Sequence, residues 1–164
     1  MTDDIDPGLR RLIDAHPALF RGRPPVVPSF VTQGWYELID KLCSDIEALL
    51  GPEGCERFEV QQVKEKYGAL RFYYRFAHRE DVHIDLMSSA GRTHLVRRAP
   101  LSGDSDTNGT EARLRELVAA ACAASEAACE SCGAPAQLRN LGGYLTTLCD
   151  RHMAETMARR GEQA

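Results

Sequence analysis

Hydrophobic side chains recur along this chain with two periods, and the switches between them mark its elements. From about Gly34 to Leu50, the residues Trp35, Leu38, Ile39, Leu42, Cys43, Ile46, Leu49 and Leu50 fall three and four apart. Asp40, Lys41, Ser44, Asp45 and Glu47 take the opposite side. That is the period of an amphipathic helix with one buried stripe, and Gly51-Pro52-Glu53-Gly54 is placed to stop it. Leu114, Leu117, Val118, Ala121, Cys122 and Ser125 repeat the pattern in a second long helix opened by Thr110 and Glu111. A shorter helix starts at Asp6-Pro7, a capping carboxylate followed by proline at the first helical position. Leu9, Leu12 and Ile13 give it an apolar side, and Pro17 turns the chain out of it.

Between the long helices the period drops to two. Leu70, Phe72, Tyr74 and Phe76 alternate with Arg71, Tyr73 and Arg75, so Ala69–Ala77 reads as a half-buried strand paired with Phe58–Lys64 around Glu65-Lys66-Tyr67-Gly68. Val82, Ile84 and Leu86 alternate as well, and Thr93–Arg98 can return against them after Ser88-Ser89-Ala90-Gly91. The expected fold class is α+β: an antiparallel sheet of three or four strands packed by two amphipathic helices. Arg21–Ser29, with three prolines, reads as an extended spacer wrapping the domain more readily than as a Pro-rich ligand.

Near the C-terminus the pattern becomes chemical. Cys129-Glu130-Ser131-Cys132-Gly133 is followed by Cys149-Asp150-Arg151-His152, with sixteen residues between Cys132 and Cys149. CxxC and CxxH pairs around a short spacer supply the three thiolates and one imidazole that a tetrahedral Zn²⁺ takes. The spacer has hairpin length, with Ala136–Asn140 and Tyr144–Cys149 as strands and Leu141-Gly142-Gly143 as turn. A polar helix follows from Asp150 to Arg160. Knuckle, hairpin and ligand-bearing helix resemble a treble clef. Four protein ligands leave no position for water or substrate, so the expected Zn²⁺ is structural and stands in for a core in the last ~40 residues. The domain organisation expected is an α+β body over 1–128, with 78–110 as an inserted hairpin and loop, and a zinc unit over 129–164.

Composition narrows the classes. The chain has 164 residues, 43% hydrophobic and 27% charged, with a net charge of −4. That is ordinary for a globular protein and argues against binding nucleic acid by phosphate neutralisation alone. No run of eighteen apolar residues occurs and the N-terminus is acidic, so neither a membrane span nor a secretory signal is expected. Three of the six cysteines belong to the metal pattern. Cys43 and Cys122 fall on helix stripes and Cys55 in a loop, a usage that points to a reducing cytoplasm.

Other constellations carry less. Lys64, Lys66, Tyr67, Arg71, Tyr73 and Arg75 interleave basic and aromatic residues on one hairpin, a surface for a partner protein or, as the alternative, for nucleic acid. Glu53, Glu56, Glu59 and Glu65 dilute its field, and a cross-strand Glu59–Arg75 pair would make it an ordinary solvated face. Asp104–Gly109 begins like a calcium loop, but Arg115 stands where the bidentate Glu belongs, so a polar loop is favoured. His83 and Asp85 share a strand face, with His78 and His94 nearby in sequence, and no nucleophile or phosphate loop accompanies them. The CxxC ends a helix instead of starting one, which disfavours a redox dithiol. No catalytic residue is assigned and the chain is not expected to be an enzyme.

Three stretches together, Gly34–Ile39, Val63–Tyr73 and Cys129–Gly133 with Leu148–His152, resemble a group of small, functionally uncharacterised zinc-binding proteins of phages, prophages and bacteria. The resemblance covers about two-thirds of the chain and skips His78 to Thr110. It implies a shared zinc-bearing fold and a mobile-element setting, and no activity. The function expected from all this is non-catalytic: a zinc-stabilised protein that binds another protein as an inhibitor or immunity-type factor. The alternative is a nucleic-acid-binding regulator using the basic–aromatic hairpin 63–75.

Overall fold

A computed structural model describes residues 5–76, 81–88, 91–98 and 109–161, with backbone alone at 81–83, 92, 94 and 96–98. Helix α1 (Pro7–Ala15) is capped as the sequence requires: Asp6 Oδ1 accepts from Leu9 N at 2.9 Å. The same oxygen takes Val31 N at 3.1 Å, tying the connector to the helix start. Pro17 ends α1, and it also opens a second turn of helix, α2 (Pro17–Phe20). Between them lies His16, buried, with Nδ1 2.9 Å from Glu47 Oε2 and Nε2 3.0 Å from Asp40 Oδ1. Those carboxylates stand two turns apart on α3, so the imidazole bolts α1–α2 to the long helix.

A short 3₁₀ turn (Gln33–Trp35) leads into α3 (Tyr36–Arg57). The helix breaks at Gly51, whose φ of 63° and ψ of 179° are non-helical. The break falls where the sequence places it, but the chain does not stay out of helix. Pro52, suited to a first helical turn, starts a further segment that runs into β1 and buries Cys55. β1 (Phe58–Lys66) and β2 (Ala69–Phe76) form an antiparallel hairpin with a bulge between Val60 and Gln62. Its two-residue turn, Tyr67-Gly68, has φ of 57° and 71°, the doubly left-handed geometry that matches strand twist. The proline-rich connector lies along β1, with Phe30 N donating to Val63 O and Ser29 Oγ accepting from Val63 N, each at 3.0 Å. This is the wrapping spacer the sequence suggests.

The core joins Leu9, Leu12 and Ile13 of α1 to Trp35, Ile39, Leu42 and Ile46, and to Phe58, Val60, Val63, Leu70, Phe72 and Tyr74 of the hairpin. Helix α4 (Thr110–Ser125) adds Leu114 and Ala121 and packs on both α3 and β2. Ser125 pins it: its fully buried Oγ accepts from Leu70 N at 2.9 Å and donates to Cys122 O at 2.6 Å.

The sheet is smaller than expected. β3 (Asp81–Ser88) and β4 (Gly91–Arg98) pair with each other, and among the described residues the strands form three separate two-stranded ribbons: β1–β2, β3–β4, and β5 (Gln137–Leu141) with β6 (Tyr144–Leu148). The segment read as an insertion is therefore an arm, not an extension of the main sheet. Among the described residues no helix is long and apolar enough to cross a membrane.

Candidate metal centre

After α4 the chain makes a tight knuckle. Gly133 N donates to Cys129 O at 2.8 Å, Cys129 N to Ala134 O at 2.8 Å, and Gly133 takes a φ of 75°. A residue with a Cβ is strained there, which explains a glycine directly after the second cysteine. β5 (Gln137–Leu141) and β6 (Tyr144–Leu148) form the spacer hairpin, and α5 (Asp150–Gly161) begins next to Cys149. Met153 N donates to Cys149 O at 2.9 Å, so Cys149 and His152 project from the same first turn.

The four side chains converge. Their ligand atoms all lie within 4.8 Å of one another. Cys132 Sγ is 3.9 Å from Cys149 Sγ, and His152 Nδ1 is 3.4 Å from Cys129 Sγ and 3.3 Å from Cys149 Sγ. An ion with metal–sulfur bonds of about 2.3 Å and metal–nitrogen bonds of about 2.0 Å spaces tetrahedral sulfurs ~3.8 Å apart and sulfur from nitrogen ~3.5 Å. These three distances match those spacings, and the quartet, within 4.8 Å throughout, can hold a metal ion. Cys129 is fully buried, Cys132 is exposed, and Cys149 and His152 lie between. The second imidazole nitrogen, Nε2, lies 3.4 Å from Arg151 Nη2 and 3.8 Å from Glu155 Oε2, the latter beyond hydrogen-bond reach. Among the described residues none of the six cysteines forms a disulfide.

The quartet is fastened to the body at two places, neither legible as such in the sequence. Gly34 N donates to Glu130 O and Trp35 Nε1 to Ala128 O, both at 2.8 Å, so the 3₁₀ turn before α3 grips the knuckle. A Cβ on Gly34 would stand 2.0 Å from Cys129 O and 2.6 Å from Cys132 N. On the other side the tip of the β1–β2 hairpin meets β6. Thr147 Oγ1 donates to Gly68 O at 2.6 Å, while Thr147 N donates to Glu130 Oε1 at 2.7 Å. Burial pushes the Glu130 carboxyl above its ordinary pKa, and the Thr147 N–H opposes that rise. Gly34-Trp35, Tyr67-Gly68 and the CxxC…CxxH unit, far apart in sequence, meet in the structure.

The basic–aromatic hairpin face is not a free surface. Arg71 and Tyr73 are buried: Asp85 of the arm lies on them, and α4 packs on the same strand. Alternation on β2 therefore reports two covered faces instead of one covered and one wet. Lys66 also reaches Asp85, at 3.3 Å, and Lys64 Nζ lies 5.3 Å from the Tyr73 ring centroid. Lys66 Nζ sits 5.2 Å from the Tyr67 ring. Arg75 pairs with Glu59 at 2.7 Å, in the cross-strand register the sequence suggests. Asp85 is thus an ion-pair partner of the body. The side chains of His83 and His94, all of His78, and Asp104–Asn108 of the calcium-like loop lie outside the described residues.

Comparisons with protein families, curated proteins and solved structures return no match for this chain.

Proposed function

We propose that this chain is a non-catalytic binding protein, stabilised by a structural Zn²⁺ in a treble-clef-like unit, and that its partner is another protein. A borderline-soft ion suits three thiolates and an imidazole, and a ligand set complete in protein atoms gives the metal a folding role instead of a catalytic one. The ion would fix the knuckle that Gly34 and Trp35 hold, and through it the start of α3. An inhibitor or immunity-type role in a phage or mobile-element setting is the biological form of this reading.

The observation that carries it is the arm. Asp85 pins one face of the β3–β4 ribbon to the body. On the other face Ile84 and Leu95 stand opposite each other, with Leu86 beside them, exposed by 43%, 48% and 49%. A two-stranded ribbon gains little from apolar residues left in water, whereas neighbouring aliphatic side chains on one face suit a protein interface. Affinity isolation of the native chain from its own cells tests the reading. A stoichiometric protein that withstands nuclease treatment and is lost from Leu86→Glu and Leu95→Glu supports it. Retention of nucleic acid in place of protein, weakened by salt, overturns it in favour of a regulator.

A further inference from the structure

The face covered by the arm carries more binding chemistry than a structural pin needs. Three donors from β1 and β2 converge on one carboxylate. Arg71 Nε donates to Asp85 Oδ1 at 2.9 Å, and Asp85 Oδ2 takes the Tyr73 hydroxyl and lies 3.3 Å from Lys66 Nζ. The Asp85 and Arg71 side chains are 3% and 8% exposed. Arg71 is itself held from behind, donating through Nη1 to Leu70 O at 3.0 Å. Burial first, and then the charges of Lys66 and Arg71, hold the Lys64 ammonium beside this cradle below its usual pKa, while Asp85 opposes that shift. The donors belong to the body, but the anion belongs to an arm that shares no ladder with β1–β2.

We propose that Arg71, Tyr73 and Lys66 form a carboxylate-binding cradle, filled in cis by Asp85 and in trans by an acidic segment of the protein partner. The inference rests on the protein-partner reading above and names that partner's chemistry. Arg71 is paired with a carboxylate in both the arm-filled and the partner-filled state, so neither leaves its buried charge unmatched. The group seen in the cradle is a strand-borne carboxylate, which favours an acidic protein segment as its replacement.

The test uses the full metal-loaded chain. A fluorescent peptide of eight glutamates and a thymidine oligonucleotide of matching charge are titrated at low salt against wild type, Asp85→Ala, and Asp85→Ala with Arg71→Gln. Wild type is occupied in cis, so removing Asp85 is expected to tighten peptide binding by at least about tenfold, the reciprocal of the open fraction. Arg71→Gln is expected to abolish the gain. A peptide affinity unchanged by Asp85→Ala, a gain that survives Arg71→Gln, or a gain on the oligonucleotide alone overturns the cradle. Should Asp85→Ala fail to fold, amide exchange in wild type decides instead. Excess peptide must accelerate exchange along 81–88 while leaving α3 unchanged, and no acceleration overturns the proposal. A failed cradle alongside a captured stoichiometric protein sinks this inference alone, whereas no protein partner sinks the reading beneath it.

Discussion

Gly34→Ala is the smallest change that separates a docked knuckle from one that merely sits nearby. Gly34 has no positive φ, so the added methyl introduces no backbone strain and the effect is steric. The Cβ would stand 2.0 Å from Cys129 O, 2.6 Å from Cys132 N and 2.6 Å from Gly133 N. All three are backbone atoms of the knuckle, Gly133 N and Cys129 O are bonded to each other, and none can rotate away. The knuckle must therefore withdraw by more than an ångström, which breaks the bonds from Gly34 N to Glu130 O and from Trp35 Nε1 to Ala128 O. Two part-buried bonds at roughly 1–1.5 kcal/mol each, with some exposure of the fully buried Trp35, give a loss of about 3–4 kcal/mol. Urea unfolding of the zinc-loaded chain, followed by its single tryptophan, reads this directly. The midpoint is expected to fall by about 1–3 M for ordinary slopes. Gly142→Ala is the control: φ is 70° and nothing lies within 4 Å, so only the left-handed strain of about 1–2 kcal/mol applies. A Gly34→Ala protein no less stable than the Gly142→Ala protein would refute the docking argument.

Two further changes probe the seat of α4 on the hairpin and the buried carboxyl of the knuckle. Ser125→Ala leaves Leu70 N without its acceptor in a fully buried place and is expected to cost about 1–3 kcal/mol in thermal or urea unfolding, with metal content unchanged. Glu130→Gln keeps an oxygen for Thr147 N but removes a carboxyl whose pKa burial has raised. A raised folded-state pKa means stability is lost as the carboxyl ionises, so the glutamine variant is expected to be at least as stable as wild type at pH 7. The difference is expected to vanish in acid below the unfolded value of about 4.3, as pH-dependent melting will show.

Much of the local structure was legible in the sequence because local rules decide it. Asp6-Pro7 caps a helix wherever the chain puts it, Gly51 breaks one, and four ligands at CxxC and CxxH spacing can close on an ion without help from the rest of the fold. Long-range contacts were not legible. Gly34 reads as the start of a helix, and only the three-dimensional arrangement shows a carbonyl where its side chain would be. Tyr67-Gly68 reads as a turn, with no sign that Thr147 donates to it from seventy-nine residues away. The alternation of Arg71, Tyr73 and Arg75 suggested a wet face because charged residues ordinarily seek water. Asp85, distant in sequence and on a ribbon of its own, supplies the pairing that allows Arg71 to be buried.

On the proposed reading, three thiolates and one imidazole hold a metal that fastens the C-terminal unit to the body. X-ray absorption at the zinc edge, with elemental analysis of the purified full-length chain, tests it most directly. The expected result is one zinc per chain, with three sulfur ligands near 2.3 Å and one nitrogen near 2.0 Å, and loss of the ion from His152→Ala. A chain that carries no stoichiometric metal, or a zinc shell containing water or carboxylate oxygen in place of a protein sulfur, would contradict it.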